Sequence, residues 1–386
     1  MDKATGPLRV AITYQHSLQM GGSERVLEVL AEMYPGADFF CMVVDPSAIP
    51  PALRGRSITA SFLDRIPLAR KFYPFFQVLG PIAAEAMDLS AYDLVISSDG
   101  SHTMGVITRQ DALHICYCHS PHRSLWDQYH FYCQSLRGPV RWAFTLSSNY
   151  LRTCNYLAAQ RVTCFIANSH FVAQRIAKYY RRQSTVIYPP VRTADGFISD
   201  QVSDYYLSVG RLIPAKRVDL LIEGCNRLKR RLLICGAGSE ETRLKAIAGP
   251  TIEFLGRVPD ARLSRLYADC RAFLFASNED FGIAPVEAQS YGRPVIAYGH
   301  GGSLETVRVN DPQGRPDTGL YFAEQSVESV VDAIRRFEQI EDQFDPVEMR
   351  KHSLQFDTSV FIDKFRAFVD ATIARAPLDR RNEDLA

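Results

Sequence analysis

Two carboxylates eight residues apart, Glu279 and Glu287, sit in the stretch SNEDFGIAPVEAQSYGRPVIAYGHGGSLE at 277–305. The apolar run RAFLFAS before it suits a buried strand, Pro285 suits a first helical turn, and Gly292 suits its end. This order predicts a helix of about two turns, with the backbone N–H groups of Gly282, Ile283 and Ala284 at its unsatisfied start, where the macrodipole favours an anion such as phosphate. Carboxylates repel phosphate. Their chemistry is then to accept hydrogen bonds from neutral hydroxyls on either side of it, such as those of a ribose and a hexose, and the pattern points to a nucleotide sugar. Taken alone, Glu287 also reads as a complement to the helix dipole and Glu279 as a solvated loop acid; the flanking glycines favour a ligand.

The stretch resembles the E-x7-E region of the family 4 glycosyltransferases. EDFGI, the second glutamate, GRPVIA and GGSLE follow in the family's order, a far more specific signal than a lone glycine fingerprint. The resemblance implies an α/β protein of GT-B architecture: two facing Rossmann-like domains with doubly wound parallel sheets and a C-terminal helix crossing back to the first. It further implies a retaining enzyme that needs no metal. Glu279 would take the sugar hydroxyls and Glu287 the ribose, with Phe281, Gly282 and Ile283 beside the donor. SVGRLIPAKR resembles the family's G-R-x4-K motif, so Arg211 and Lys216 would hold the diphosphate and stabilise the charge that grows as the nucleotide leaves. Each alone could be a surface base. FLGRVPD looks like a loop around the nucleotide base, where backbone near Val258 would contact the ring edge.

Towards the N-terminus, Gly21 and Gly22 precede an amphipathic helix, where missing Cβ atoms allow close approach of a ligand. A tight turn is the competing reading; the resemblance implies a loop facing donor and acceptor. His114, His119 and His122 lie close together, which suggests a metal, but their spacing lacks a ligand partner set. YCHSPHRSLWD resembles the YCH-x-P-x-R-x-LWD signature of members that add mannose to lipid-linked glycans, and implies that His119 contacts the donor sugar. A turn histidine capping backbone is the alternative.

The elements that must position these groups follow from the remaining pattern. At 386 residues the chain is long for one core and suits two domains of roughly 150 to 200 residues. IYPPV resembles the end of the first domain, and boundaries at 1–193, 194–360 and 361–386 are expected, the last a helix with Phe361, Phe365 and Phe368 at helical spacing plus a tail. LRVAITY, DFFCMVV, YDLVISS, ALHICYC, VTCFIA and the closing STVIYPPV read as strands of the first domain, with Asn168 or Ser169 as the natural N-cap of the helix after VTCFIA; YYLSVGRL, RLLICGAG, TIEFLGRV, AFLFAS, PVIAYG and GLYFA read as strands of the second, alternating with helices as in a doubly wound sheet.

Charge and composition limit the partners. Residues 1–193 carry 19 Lys and Arg against 13 Asp and Glu, and 128–194 hold nine Lys and Arg, among them Arg137, Arg141, Arg152, Arg161, Arg181 and Arg182, with no acid at all. Interleaved with Trp142, Phe144, Tyr150 and Tyr156, this predicts a basic aromatic face for an anionic membrane. The segment 61–87, with Arg65, Arg70 and Lys71 beside Phe72, Tyr73, Phe75 and Phe76, reads the same way, or as a helix pair packed on the sheet. Nucleic acid is the competing partner, but no binding motif for it accompanies the charge. Nine cysteines without a CxxC pair read as reduced thiols. Asp-x-Asp and GxGxxG are missing, no run suits a membrane span, and no signal-peptide pattern opens the chain, so a cytoplasmic, peripherally membrane-bound protein is expected.

These readings converge on transfer of a hexose, mannose from GDP-mannose by the YCHSPHRSLWD and IYPPV resemblance, to a polyprenyl-diphosphate-linked oligosaccharide in bacterial polysaccharide synthesis. The nucleotide-sugar donor is a substrate, and neither cofactor nor metal is expected. A UDP-sugar-dependent transferase, an epimerase or phosphorylase acting on a soluble sugar, and a non-catalytic nucleotide-sugar-binding protein are the rival readings.

Overall fold

The computed structural model describes residues 8–17 and 22–375. The chain divides into two compact units, Met1–Tyr188 with Ile362–Ala386, and Pro189–Phe361.

The first unit is built on seven strands, β1 (Val10–Ser17), β2 (Asp38–Val44), β3 (Ile58–Ala60), β4 (Leu94–Ser98), β5 (Leu113–Cys118), β6 (Cys164–Ala167) and β7 (Ser184–Val186), in the order β3-β2-β1-β4-β5-β6-β7. Every pairing is parallel; Ile12 of β1 lies between Phe39 and Ile96, and all three are fully buried. Strands covered on both faces need continuous apolar runs, and the expected runs supply them. The short β3 lay outside those runs, its three residues being only half-buried or exposed. Helices of this unit include α1 (Gly22–Met33), α2 (Gly80–Glu85), the 24-residue α3 (Gly138–Arg161) and α4 (His170–Tyr180). Ser169 caps α4 as its sequence position suggests, its hydroxyl accepting from Val172 N at 3.0 Å.

The second unit has six parallel strands, β8 (Tyr206–Val209), β9 (Leu232–Cys235), β10 (Ile252–Gly256), β11 (Ala272–Phe275), β12 (Val295–Tyr298) and β13 (Gly319–Phe322), in the order β10-β9-β8-β11-β12-β13. All six fall within the runs expected from sequence. Helices α5 (Val218–Leu228), α6 (Ile283–Ser290) and α7 (Val327–Ile340) are among those on its faces. In each sheet the strand order reverses beside the first strand, between β1 and β4 and between β8 and β11. The connections leave such a point in opposite directions and open a crevice at the carboxyl ends of the strands.

A helix α8 (Thr358–Arg375) begins in the second unit and continues in the first. Its Phe365 is fully buried there, with its ring 6.4 Å from that of Tyr117. Among the described residues, no helix is long and apolar enough to cross a membrane.

Candidate functional site

In the second unit the carboxyl ends of β8, β9 and β10 are tied together by backbone. Gly210 N donates to Cys235 O at 3.0 Å, Leu212 N to Ala237 O at 3.0 Å, and Gly236 N to Gly256 O at 2.8 Å. The approach is so close that a Cβ on Gly236 would lie 1.9 Å from Gly210 O, and one on Gly238 2.2 Å from Leu212 O. The loop after β8 ends in the turn Pro214–Lys216, stopped by Arg217 at a left-handed φ of 49°. Across the switch point the loop after β11 carries Glu279, and Lys216 Nζ donates to Glu279 Oε1 at 2.5 Å. Arg211 is exposed on the same loop as Lys216.

Glycines also hold the Glu279 loop. Gly302 N donates to Glu279 O at 2.9 Å, and a Cβ on Gly302 would meet Phe281 O at 2.2 Å. Gly282, with φ of 90°, then turns the chain into α6. That start leaves its first N–H groups without helical acceptors. On α6, Glu287 accepts from Tyr267 Oη at 3.0 Å, and Tyr267 stacks on Tyr291 with ring centroids 5.7 Å apart. Phe281 itself is 3% exposed and packs edge-on against Phe356, so its side chain is core and only its backbone is open to a ligand role. Val258 is half-buried against the core that contains Tyr267 and Phe273.

The first unit has a cavity of about 280 Å³ at the corresponding ends of β1, β4 and β5, lined by Glu24, Ser98, Ser101, His119, His122 and Arg123 among others. His119 Nε2 lies 2.9 Å from Ser98 Oγ, and its ring packs edge-on to Tyr117 at 5.3 Å. Burial pushes the imidazole down to about 4, so it is neutral at pH 7. The loops that frame it are fixed independently. Asp99 accepts from Gly100 N, Ser101 N, Thr103 N and Thr103 Oγ1 at 2.7 to 2.9 Å. Arg175 reaches from α4 to Ser120 Oγ at 2.6 Å, Pro121 O at 3.0 Å and Asp127 Oδ1 at 2.6 Å, pinning the loop after His119.

Gly22 opens α1, while Gly21 lies outside the described residues. Glu24, 8% exposed, brings a carboxylate to this cavity that the sequence reading passed over; an acid two residues after a glycine pair, at the start of the expected helix, was the available signal. The histidines separate. His119 and His122 line the cavity, whereas His114 is fully buried within β5, its Nε2 2.7 Å from Ser97 Oγ. Among the described residues, no group of three or more His, Cys, Asp or Glu is placed to hold a metal ion.

Much of the basic charge in 128–194 is spent inside the fold. Arg182 donates to four carbonyls, those of Ala159, Gln160, Val162 and Thr163, closing the end of α3. Arg152 binds Leu125 O at 2.9 Å and lies over the Tyr129 ring at 5.0 Å, and Arg161 binds Glu85 and Gly105 O. Arg137, Arg141 and Arg181 remain exposed. The 61–87 segment is a series of short turns and helices; Arg70 is paired with Asp64 at 2.8 Å, while Leu68, Phe72 and Phe75 are exposed at 65%, 41% and 73%.

Two Rossmann-like units, each doubly wound and parallel, with polar side chains gathered at the switch points, define the GT-B class. The profile described as Glycosyltransferase Family 4 matches residues 20–195, and that described as glycosyl transferases group 1 matches 197–353. The chain belongs to the family 4 glycosyltransferases. It is similar to the human alpha-1,3/1,6-mannosyltransferase ALG2, 25% identical over 256 residues, covering 56% of this chain and 59% of that protein. The O-antigen chain mannosyltransferase RfbU of Salmonella typhimurium is 26% identical over 202 residues, covering 49% of this chain and 57% of that protein. The chain thus spans little more than half the length of these curated relatives. A solved structure of Anabaena HepE in complex with UDP has the same fold, with a TM-score of 0.68 at 17% identity over 94% of this chain and all of that one.

Proposed function

We propose that this chain is a retaining hexosyltransferase that moves mannose from GDP-mannose to a lipid-linked glycan at the cytoplasmic face of a membrane, in the assembly of a bacterial polysaccharide. The observation that carries it is the Lys216–Glu279 pair, set at the switch point of the second sheet beside the start of α6. The pair presents a cation for phosphate and a carboxylate for hydroxyls, the two chemistries of a sugar diphosphate. Donor entry exchanges their mutual contact for contacts to the β-phosphate and to the hexose, and Arg211 adds a second cation from the same loop. The growing charge on the leaving nucleotide is met by these two side chains and by the N–H groups at the start of α6, without an Asp-x-Asp metal site. Glu287 takes the ribose, and backbone near Val258 the base. His119, held neutral, supplies a ring nitrogen for a sugar hydroxyl.

The mannosyltransferase names of the relatives support the choice of sugar, and a Corynebacterium glutamicum relative named as a GDP-mannose-dependent mannosyltransferase of a phosphatidylinositol mannoside, 32% identical over 150 residues that cover 33% of this chain and 38% of that protein, supports both donor and lipid acceptor. Exposed Arg137 and Arg141 beside Trp142 support contact with an anionic bilayer.

Calorimetry with GDP-mannose, UDP-glucose and UDP-glucuronate, each with and without EDTA, tests the reading. EDTA-insensitive binding of GDP-mannose is expected. Selective binding of a UDP-sugar overturns the donor, and no nucleotide-sugar binding overturns the transferase itself. Co-sedimentation with anionic vesicles is expected to weaken in the Arg137→Glu, Arg141→Glu double variant; unchanged sedimentation refutes the membrane face.

A further inference from the structure

Two carboxylates line the cavity of about 280 Å³ in the first unit, and the fold uses them differently. Asp99 is saturated by the protein, its two oxygens taking the four donors that frame the loop after β4. Glu24 is not. Among the described residues it accepts only from Ser23 Oγ, at 3.0 Å on Oε2. Its Oε1 has no donor, yet it is not among the described polar atoms that are both unpartnered and sealed from solvent. The residue is 8% exposed, so the solvent this oxygen reaches is that of the cavity.

A carboxylate oxygen withdrawn from bulk water without a replacement donor is costly, and buried polar groups are ordinarily paired. Packing holds it there. Val26, Leu27 and Leu30 of the same helix are buried at 0%, 3% and 0% exposure, and turning α1 to release Glu24 into water would bring them out with it. The rest of the lining suits a sugar. Tyr14, Leu27 and Pro121 offer apolar surface for the C–H face of a pyranose, and the Ser98–His119 pair offers polar groups for its edge. Small-ligand sites are mostly apolar with a few placed polar groups, and start at about 300 Å³, room for one sugar rather than a chain of them. The carboxylate also selects: it accepts from neutral hydroxyls and repels a uronic acid or a sugar phosphate.

We infer that Glu24 is an acceptor-binding residue: its Oε1 accepts from a hydroxyl of the acceptor's terminal sugar, which sits in this cavity and is a neutral pyranose. This rests on the transferase reading above and adds to it the residue that holds the acceptor end and the charge class of sugar found there.

The test is ligand-observed NMR at pH 7 on the purified full chain, with the methyl α-glycosides of mannose, glucose and galactose and with methyl α-glucuronide. Saturable binding of at least one neutral glycoside, and not of the glucuronide, is expected. Glu24→Gln keeps the shape and removes the charge. It is expected to weaken the neutral glycoside about 10- to 100-fold, the scale of a hydrogen bond to a charged acceptor, and to admit the glucuronide. A residue that only complements the helix dipole would move stability without moving this selectivity. Glu28→Gln, one turn along α1 and outside the cavity lining, removes the same charge and is expected to leave both sugars as they were. Unaltered selectivity in Glu24→Gln, the same change in Glu28→Gln, or no neutral glycoside bound by the wild-type chain overturns the inference. A melting temperature within about 4 °C of wild type shows that Glu24→Gln is folded. Glu24→Asp keeps the charge but draws it back by one methylene, and gives an independent reading: the neutral glycoside should weaken while the glucuronide stays excluded, and entry of the glucuronide also overturns the inference. Sugar binding needs no donor, so failure here alongside intact GDP-mannose binding rejects the role of Glu24 and leaves the transferase reading standing.

Discussion

Lys216 and Glu279 hold each other at 2.5 Å while their side chains remain 20% and 29% exposed. A pair this wet adds only ~0–1 kcal/mol to stability, so its removal is expected to leave the fold intact. If it binds the sugar diphosphate, Lys216→Met and Glu279→Gln should each lower turnover by about 10²- to 10³-fold, the scale of a lost transition-state donor, with melting temperatures moved by no more than about 4 °C. Near wild-type turnover in either variant contradicts the assignment. Glu338 in the same unit makes the contrast. It accepts from Arg230 at 2.6 and 2.8 Å and from Tyr206 Oη at 3.0 Å, and the Arg230 guanidinium holds its carboxyl below the usual range. In sequence, Glu338 is one more acid on an amphipathic helix, as Glu279 is one more acid in a loop. What made Glu279 legible was its place between an apolar strand and a glycine-led helix. His114 and His119 were less separable, because five residues along one strand and its turn take a histidine from the fully buried core to a cavity wall.

At the level of elements, glycine pairs decide where the site loops run. Gly302 has an ordinary φ of −62°, so its need for glycine is steric: a Cβ would stand 2.2 Å from Phe281 O. Gly302→Ala should therefore push the Glu279 loop aside, costing about 1–3 kcal/mol in a urea titration together with weaker donor binding. Gly36→Ala, with nothing within 4 Å of the added methyl, should change stability by less than about 1 kcal/mol. Equal effects of the two would contradict a steric role for Gly302. All six strands of the second unit were legible because their apolar runs are short, buried and bounded by turn residues. Helix α3 was not, because its apolar residues Trp142 and Leu146 face water and its pattern does not resemble a helix packed by its greasy side. The acid-free stretch 128–194 was legible as charge but not as architecture: Arg182 and Arg152 bind backbone carbonyls, acceptors that every sequence contains and none displays.

For the whole molecule, acid should act unevenly. In the first unit burial pushes His102, His114 and His119 each down to about 4 and lowers His122, whereas in the second unit His352 is pushed down to about 4. Unfolding restores an ordinary pKa near 6.5, so the unfolded chain binds more protons between pH 6.5 and 4. The stability these neutral rings permit is fully present above pH 6.5 and is lost as pH falls towards 4. By pH 5 each fully buried ring costs up to about 2 kcal/mol. Hydrogen exchange at pH 7 and pH 5, corrected for intrinsic rates, should show β4 and β5 losing more protection than β11 and β12; equal losses would contradict this. Helix α8 adds a constraint of another kind. The first unit's strands are made early, but Phe365 and Val369, buried at 0% and 3% exposure, are translated only after all of residues 189–361. At bacterial to eukaryotic elongation speeds that interval is roughly 10 to 35 s. Throughout it the nascent first unit stands with the flank of Tyr117 uncovered, so the ribosome delivers a finished second unit before the first can close.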